Sequence, residues 1–293
     1  MARRRINSSQ LRSKLRQLEN KQRQAVNRYN QAVRNYNSKL RTAVNQYNQA
    51  ARAHNARVRA NRQRLKSELA KLARQTTTTR YTTFRVSVES VHDAYVRYDA
   101  RFGDTPDDPR HTELLDLAER ESANSVAVMN ALLDEGGEGQ GDGDELRGTT
   151  ITTELSCVSP DLDARWRGAV FALSPQNPDA ARHFCTSARE VFVQMLDLRA
   201  PNNEVLQATP SCQKTQQGQP TRRAKIHHVL ARKGMAVAEL EEFVQRDVEN
   251  VLELFGVFNT ATHGPAGRYD MRKLTAIKTR VEEGIQFLSS VVA

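Results

Sequence analysis

Asn259 and His263 stand four residues apart at the end of an apolar-periodic stretch, and Gly264-Pro265 follows at once. At about 100° per residue both fall on one flank of the stripe made by Leu240, Val244, Val248, Val251, Phe255 and Phe258. That places them at the rim of a predicted core. A histidine at the carboxyl end of a helix feels the negative pole of the dipole, which favours its cation and suits proton exchange near neutral pH. An amide one turn earlier can orient a phosphate, or the two residues can simply cap the helix. Cations able to hold a phosphate lie elsewhere: Arg182 and Arg189, seven apart on one flank, and Arg222 and Arg223 in the run Thr221–His228.

The chain of 293 residues has no phosphate-cradling Gly loop, no HExxH, no paired-Cys zinc pattern and no GxSxG. Asp161, Asp163, Asp247 and Glu249 lack the strand context of metal-dependent nucleases, which speaks against two-metal chemistry. No metal and no cofactor is therefore expected. Cys157, Cys185 and Cys212 are odd in number and have no ligand spacing, as incidental thiols of a reducing compartment would. Met1-Ala2-Arg3-Arg4-Arg5 leads into no apolar signal region and no run approaches a membrane span, so the expectation is a soluble cytoplasmic protein without membrane contact.

The elements that must position these groups are helices. The pattern predicts an all-α chain: a long basic N-terminal coiled-coil helix, then a helical bundle. The expected divisions are a basic arm at 1–79, a helical connector at 80–135, a flexible acidic Gly-rich linker at 136–149 and a bundle at 150–293. Residues 80–100 allow strand alternation at Phe84, Val86 and Val88, but Val88, Val91, Tyr95 and Tyr98 follow helical spacing, the preferred reading. Pro109 opens the next helix. In the bundle five helices are expected, separated in part by a long loop at 199–220.

The arm divides the charge of the molecule. The first 75 positions hold 20 of the 44 Lys and Arg residues and two acids, Glu19 and Glu68, a charge of 20 − 2 = +18. The remaining 218 residues carry 24 − 32 = −8. No Gly or Pro occurs before Gly103. Apolar residues recur at steps of three and four from Leu11 to Leu72, and Val26–Asn30, Val33–Asn37 and Val44–Asn48 are near copies, offset by 7 and 11. Such a rod, roughly 100 Å long over residues 7–75, needs a partner helix, most simply its own copy. Its charge then needs a polyanion, so RNA or DNA is the expected ligand, with an acidic protein surface or pure oligomerisation as the other readings. The expected nucleic-acid contacts are Arg12, Lys14, Arg16, Lys21, Arg23, Arg28 and Arg34. Further along the rod they continue as Lys39, Arg41, Arg52, Arg57, Arg59, Arg62 and Arg64. No base-reading motif accompanies them, so binding is expected to tolerate sequence.

Three segments together resemble the bacterial family of predicted nucleases associated with prokaryotic Piwi proteins: Asp163–Ala169, Asn177–Glu190 and Thr262–Asp270. The resemblance covers roughly residues 150–290 and implies a role in anti-phage defence, with other defence-system proteins as partners. The helical layout and the Asn-x3-His-Gly ending are also similar to HEPN domains, metal-independent ribonucleases with an Arg-polar-x-x-x-His motif. Here Phe258 occupies the motif's arginine position, so the resemblance implies that the cation comes from elsewhere, from Arg182, Arg189 or Arg223. Arg222 to His227 and Arg223 to His228 have the bare Arg-x4-His spacing.

The leading expectation is thus a bacterial defence ribonuclease with a dimerising, nucleic-acid-binding arm. His263 would exchange the proton at a ribose 2′-hydroxyl, Asn259 would orient the phosphate, and an arginine would stabilise charge on phosphorus. The alternatives are a non-catalytic nucleic-acid-binding adaptor or sensor subunit, and a structural coiled coil whose charges control assembly.

Overall fold

The computed structural model of the chain describes residues 7–76, 79–103, 109–134, 146, 148–174, 177, 179–261 and 271–292, with side chains for all of these except residues 80, 109, 258–261 and 271. The described residues form ten α-helices, one 3-10 turn and no strand. In order they are α1 (Ser8–Leu72), the turn Thr79–Tyr81, α2 (Thr82–Phe102), α3 (Pro109–Leu133), α4 (Thr152–Val158) and α5 (Pro160–Ala172). Then follow α6 (Ala180–Arg199), α7 (Asn202–Ala208), α8 (Arg222–Arg232), α9 (Ala238–Ala261) and α10 (Met271–Val292). No described helix is long and apolar enough to cross a membrane.

Two compact units divide the chain, residues 1–59 and 60–293. The first consists of α1 as far as Arg59. Its side-chain bonds are local: Thr42 to the Ser38 carbonyl at 3.0 Å, and Arg59 to the Asn55 carbonyl at 3.1 Å. Its apolar stripe stays open, from Val33 at 38% exposed to Tyr47 at 74%. A lone helix this polar has no tertiary packing to hold it, and packing is where most helical stability in proteins comes from.

The second unit begins with the last turns of α1, where Leu65 and Leu72 are buried. Here the three-and-four spacing ends in a core. Phe84, Val88, Val91, Tyr95 and Tyr98 give α2 one buried face, which packs along α9. Helix α3 packs along α10, and α5 along α6. Phe243 meets Phe287 edge-on at 5.5 Å, and Trp166 meets Phe184 at 5.6 Å. Helices α2 and α3, expected as a connector, share this core with α9 and α10.

After residue 150 the described residues hold seven helices, not five. Helices α4 and α7 have seven residues each and bury one side chain apiece, Leu155 and Val205, too little to leave a stripe. The expected loop at 199–220 therefore contains α7 and then a tight reversal. Lys214 and Pro220 pair across it, and Gly218 adopts φ +77°, a conformation open to glycine.

One ionic cluster lies inside this core. The fully buried Arg280 of α10 donates to Glu121 of α3 at 2.7 Å and to Asp247 of α9 at 2.5 Å. It also donates to Asn250 Oδ1 at 3.1 Å, an oxygen that accepts from Ser125 as well, while the Asn250 amide reaches Ser87. Helices α2, α3, α9 and α10 are thus tied through one guanidinium. Arg120 also lies 3.6 Å from Glu121, yet burial pushes the pKa of both Glu121 and Asp247 upward despite Arg280. Removing one member would leave buried charge uncompensated.

Candidate active site and nucleic-acid interface

Helix α8 starts cleanly because Thr221 caps it, its hydroxyl accepting from the Ala224 amide. Ala224, Ile226, Val229 and Leu230 seat it on the core, which turns its charged residues to two different flanks. On one flank Arg222 and Lys225 line a cavity of about 180 Å³ between α6, α8 and α9. Phe192, Leu196, Val248 and Leu288 make the apolar wall. Lys225 is almost wholly buried and donates to Asp197 of α6 at 2.6 Å. Partial desolvation lowers the Arg222 pKa, the carboxylates of Glu249 and Asp197 oppose the shift, and the nearby Arg189 adds to it.

On the other flank His227 Nδ1 lies 2.7 Å from Glu241 Oε1 of α9. A carboxylate on one ring nitrogen fixes the orientation of an imidazole and leaves Nε2 for proton transfer. Arg223 is exposed one turn earlier and shares that face, since residues four apart on a helix are neighbours. The Arg-x4-His spacing does not make a site. Residues five apart diverge by about 140°, and His228 is buried while Arg223 is exposed.

The remaining predicted residues are dispersed. Arg182 sits in the first turn of α6, 3.9 Å from Asp179, with His183 at the same distance from that carboxylate. Asn259 is in the last turn of α9, where its side chain lies outside the described residues, and His263 lies outside them altogether. The four carboxylates weighed for metal chemistry are engaged otherwise: Asp161 with Arg165, Asp163 with Arg167, Asp247 with Arg280, and Glu249 with Gln245 and Arg246. Among the described residues no three metal-ligating side chains converge.

The expected nucleic-acid interface also divides. Arg12 to Arg59 belong to the first unit and stand on the exposed helix. Arg62 and Arg64 belong to the second. Arg62 pairs with Asp99 at 3.3 Å and with Glu119 at 3.5 Å, and Arg64 lines a small cavity with Glu283 and Arg280. These two are not interchangeable with the arm's other cations. Sequence reasoning also missed Glu241, Asp197 and Lys225 as partners, because pairing between helices leaves no local spacing.

Residues 155–288, from α4 to α10, match the family described as predicted pPIWI-associating nuclease. The arm, α2 and α3 lie outside the matched span. No curated protein and no solved structure matches the chain.

Proposed function

We propose, from the membership of residues 155–288 in the predicted pPIWI-associating nuclease family, that this chain is a metal-independent defence ribonuclease whose arm pairs and holds nucleic acid. The observation that carries the reading is the cavity between α6, α8 and α9, lined by the two cations Arg222 and Lys225. Phe192 and Val251 both touch the space above Gly284, and Leu196 and Val248 share the cavity wall, so α6 and α9 run antiparallel there. Continuing at about 1.5 Å per residue sets the last turns of α9 level with the stretch of α6 from Arg182 to Arg189. Asn259, in the last turn of α9, then belongs to the same end of the bundle as Arg182 and Arg189.

In this mechanism His263 takes the proton from a ribose 2′-hydroxyl as that oxygen bonds to phosphorus. The bond to the 5′-oxygen breaks, and that oxygen receives a proton. Asn259 orients the phosphate, and Arg189 with Arg222 or Arg223 stabilises the charge that develops on it. The products are a 2′,3′-cyclic phosphate and a 5′-hydroxyl. Arg182 guides the strand.

A second placement is favoured by a specific contact: His227, oriented by Glu241 and preceded by Arg223 on its own face, has the parts of a general base. End-labelled single-stranded RNA, incubated in EDTA with wild type, His263→Ala and His227→Ala, separates the readings. Loss of cleavage in His263→Ala alone, with binding unchanged, supports the first mechanism, and loss in His227→Ala alone transfers the chemistry to α8. Binding without cleavage by any of the three leaves a nucleic-acid-binding adaptor. Cleavage that requires added divalent metal refutes the metal-independent mechanism.

A further inference from the structure

The cations of the arm are not spread around α1. At about 100° per residue, Lys14, Lys21, Arg28, Lys39 and Arg57 lie about 80–120° to one side of the midline of the apolar stripe. Arg12, Arg23, Arg34, Arg41, Arg52 and Arg59 lie as far to the other side, with Arg16 among them. The third of the circumference opposite the stripe is uncharged, occupied by Asn20, Gln31, Ser38, Asn45 and Gln49 among others. Between residues 8 and 59 the one acid is Glu19.

A helix that is merely solvated carries its charge opposite the seam. This one carries it along both edges of the seam, where charge decides what can close it. The stripe itself, exposed Leu, Val and Tyr mostly at steps of three and four, has the shape that a second helix fills. A second copy of the arm, running in either direction, brings a basic edge against a basic edge on both sides. Stripe and edges therefore give opposite instructions unless negative charge lies between the edges.

We infer that the arm is a nucleic-acid-gated pairing helix: a second copy closes the apolar stripe when a polyphosphate strand lies along the cationic edges, and stays away otherwise. The inference rests on the reading that the arm pairs and binds nucleic acid. It adds that the two events are one. Phosphates neutralise both edges and release counterions, which turns the repulsive borders into attractive ones. An acidic helix from another protein would meet the same charges, but the long repeat of the same edge pattern suits a uniform polyanion.

The test is the mass of the full-length protein in solution by sedimentation equilibrium, at low salt, in about 1 M sodium chloride, and at low salt with a single-stranded oligodeoxythymidylate. At about 1 M the screening length shrinks to roughly 3 Å, so salt alone must also relieve the edges. The expected result is monomer at low salt, dimer with the oligonucleotide, and self-association at least ten-fold tighter in high salt than in low. Ordinary cross-helix ion pairs would give the opposite salt trend. Dimer at low salt without the strand overturns the gate. So does a monomer that binds the strand, seen by fluorescence anisotropy, while the nucleic-acid reading survives. Absence of strand binding by the same anisotropy measurement refutes the nucleic-acid reading and the gate with it. The variant Leu40→Asp must bind the strand and fail to pair.

Discussion

Residues 8–59 and the body that begins at residue 60 obey the same helical periodicity and use it differently. In the arm the large apolar side chains of the stripe from Leu11 to Tyr47 are exposed, and the cations stand beside it. In the body the stripes close on each other, and charge enters the core as ion pairs around Arg280. Periodicity thus announces a helix and a face. What covers the face is decided by the charge at its borders.

The comparison would break most violently at Arg280. Arg280→Met should cost about 3–5 kcal/mol, because Glu121 and Asp247 would be left buried without their cation. Urea unfolding followed by the single buried Trp166 reads this directly, and a loss below about 1 kcal/mol would show that the cluster is not held by charge. Phe243→Ala, in the same core, should cost about 3–5 kcal/mol, whereas Leu40→Ala in the arm should change the low-salt unfolding free energy by less than about 0.5 kcal/mol. Similar costs at both positions would mean that the arm's stripe is already covered.

A smaller effect is expected at Gly284. A Cβ there would stand 3.2 Å from Arg280 Nη1 and from Val251 Cγ2, so Gly284→Ala should overpack the site by about 1–3 kcal/mol. A neutral or stabilising result would mean that the Arg280 side chain yields.

The mildest effect concerns pH. Burial pushes the Glu119 carboxyl up to about 7, with Arg62 and Tyr95 opposing the shift, and it also raises Glu121. Unfolded glutamates titrate near about 4.3, so the folded body binds more protons between that value and the folded pKa. Stability is then unaffected by these groups in acid, falls as pH rises from about 4.3 through about 8, and levels above. Thermal melts of Glu119→Gln should lose part of this slope. An unchanged slope would place the proton elsewhere. Arm helicity, which depends on neither group, should not follow it.

Most of the helical layout could be read from the chain, because long stripes such as Phe84 to Tyr98 or Leu240 to Phe255 repeat over several turns. Helices α4 and α7 could not, since one buried residue makes no period. The site was legible only as a set of residue types. The basic run at 221–228 was recognisable, yet only the fold shows that Arg222 lines the cavity while His227 meets Glu241. Arg280 was hidden for a related reason: a lone arginine within an apolar stripe looks like a surface interruption until its two carboxylates arrive from α3 and α9.

The uncharged back of the arm has a further consequence, for valence. A helix with one narrow sticky line and a neutral, hydrated reverse can join a neighbour through that line alone. Once the line is occupied nothing is left on which to add another. Assembly through this arm should therefore stop at small closed sets, and scattering from the protein with excess strand should show discrete particles instead of growing bundles or fibres.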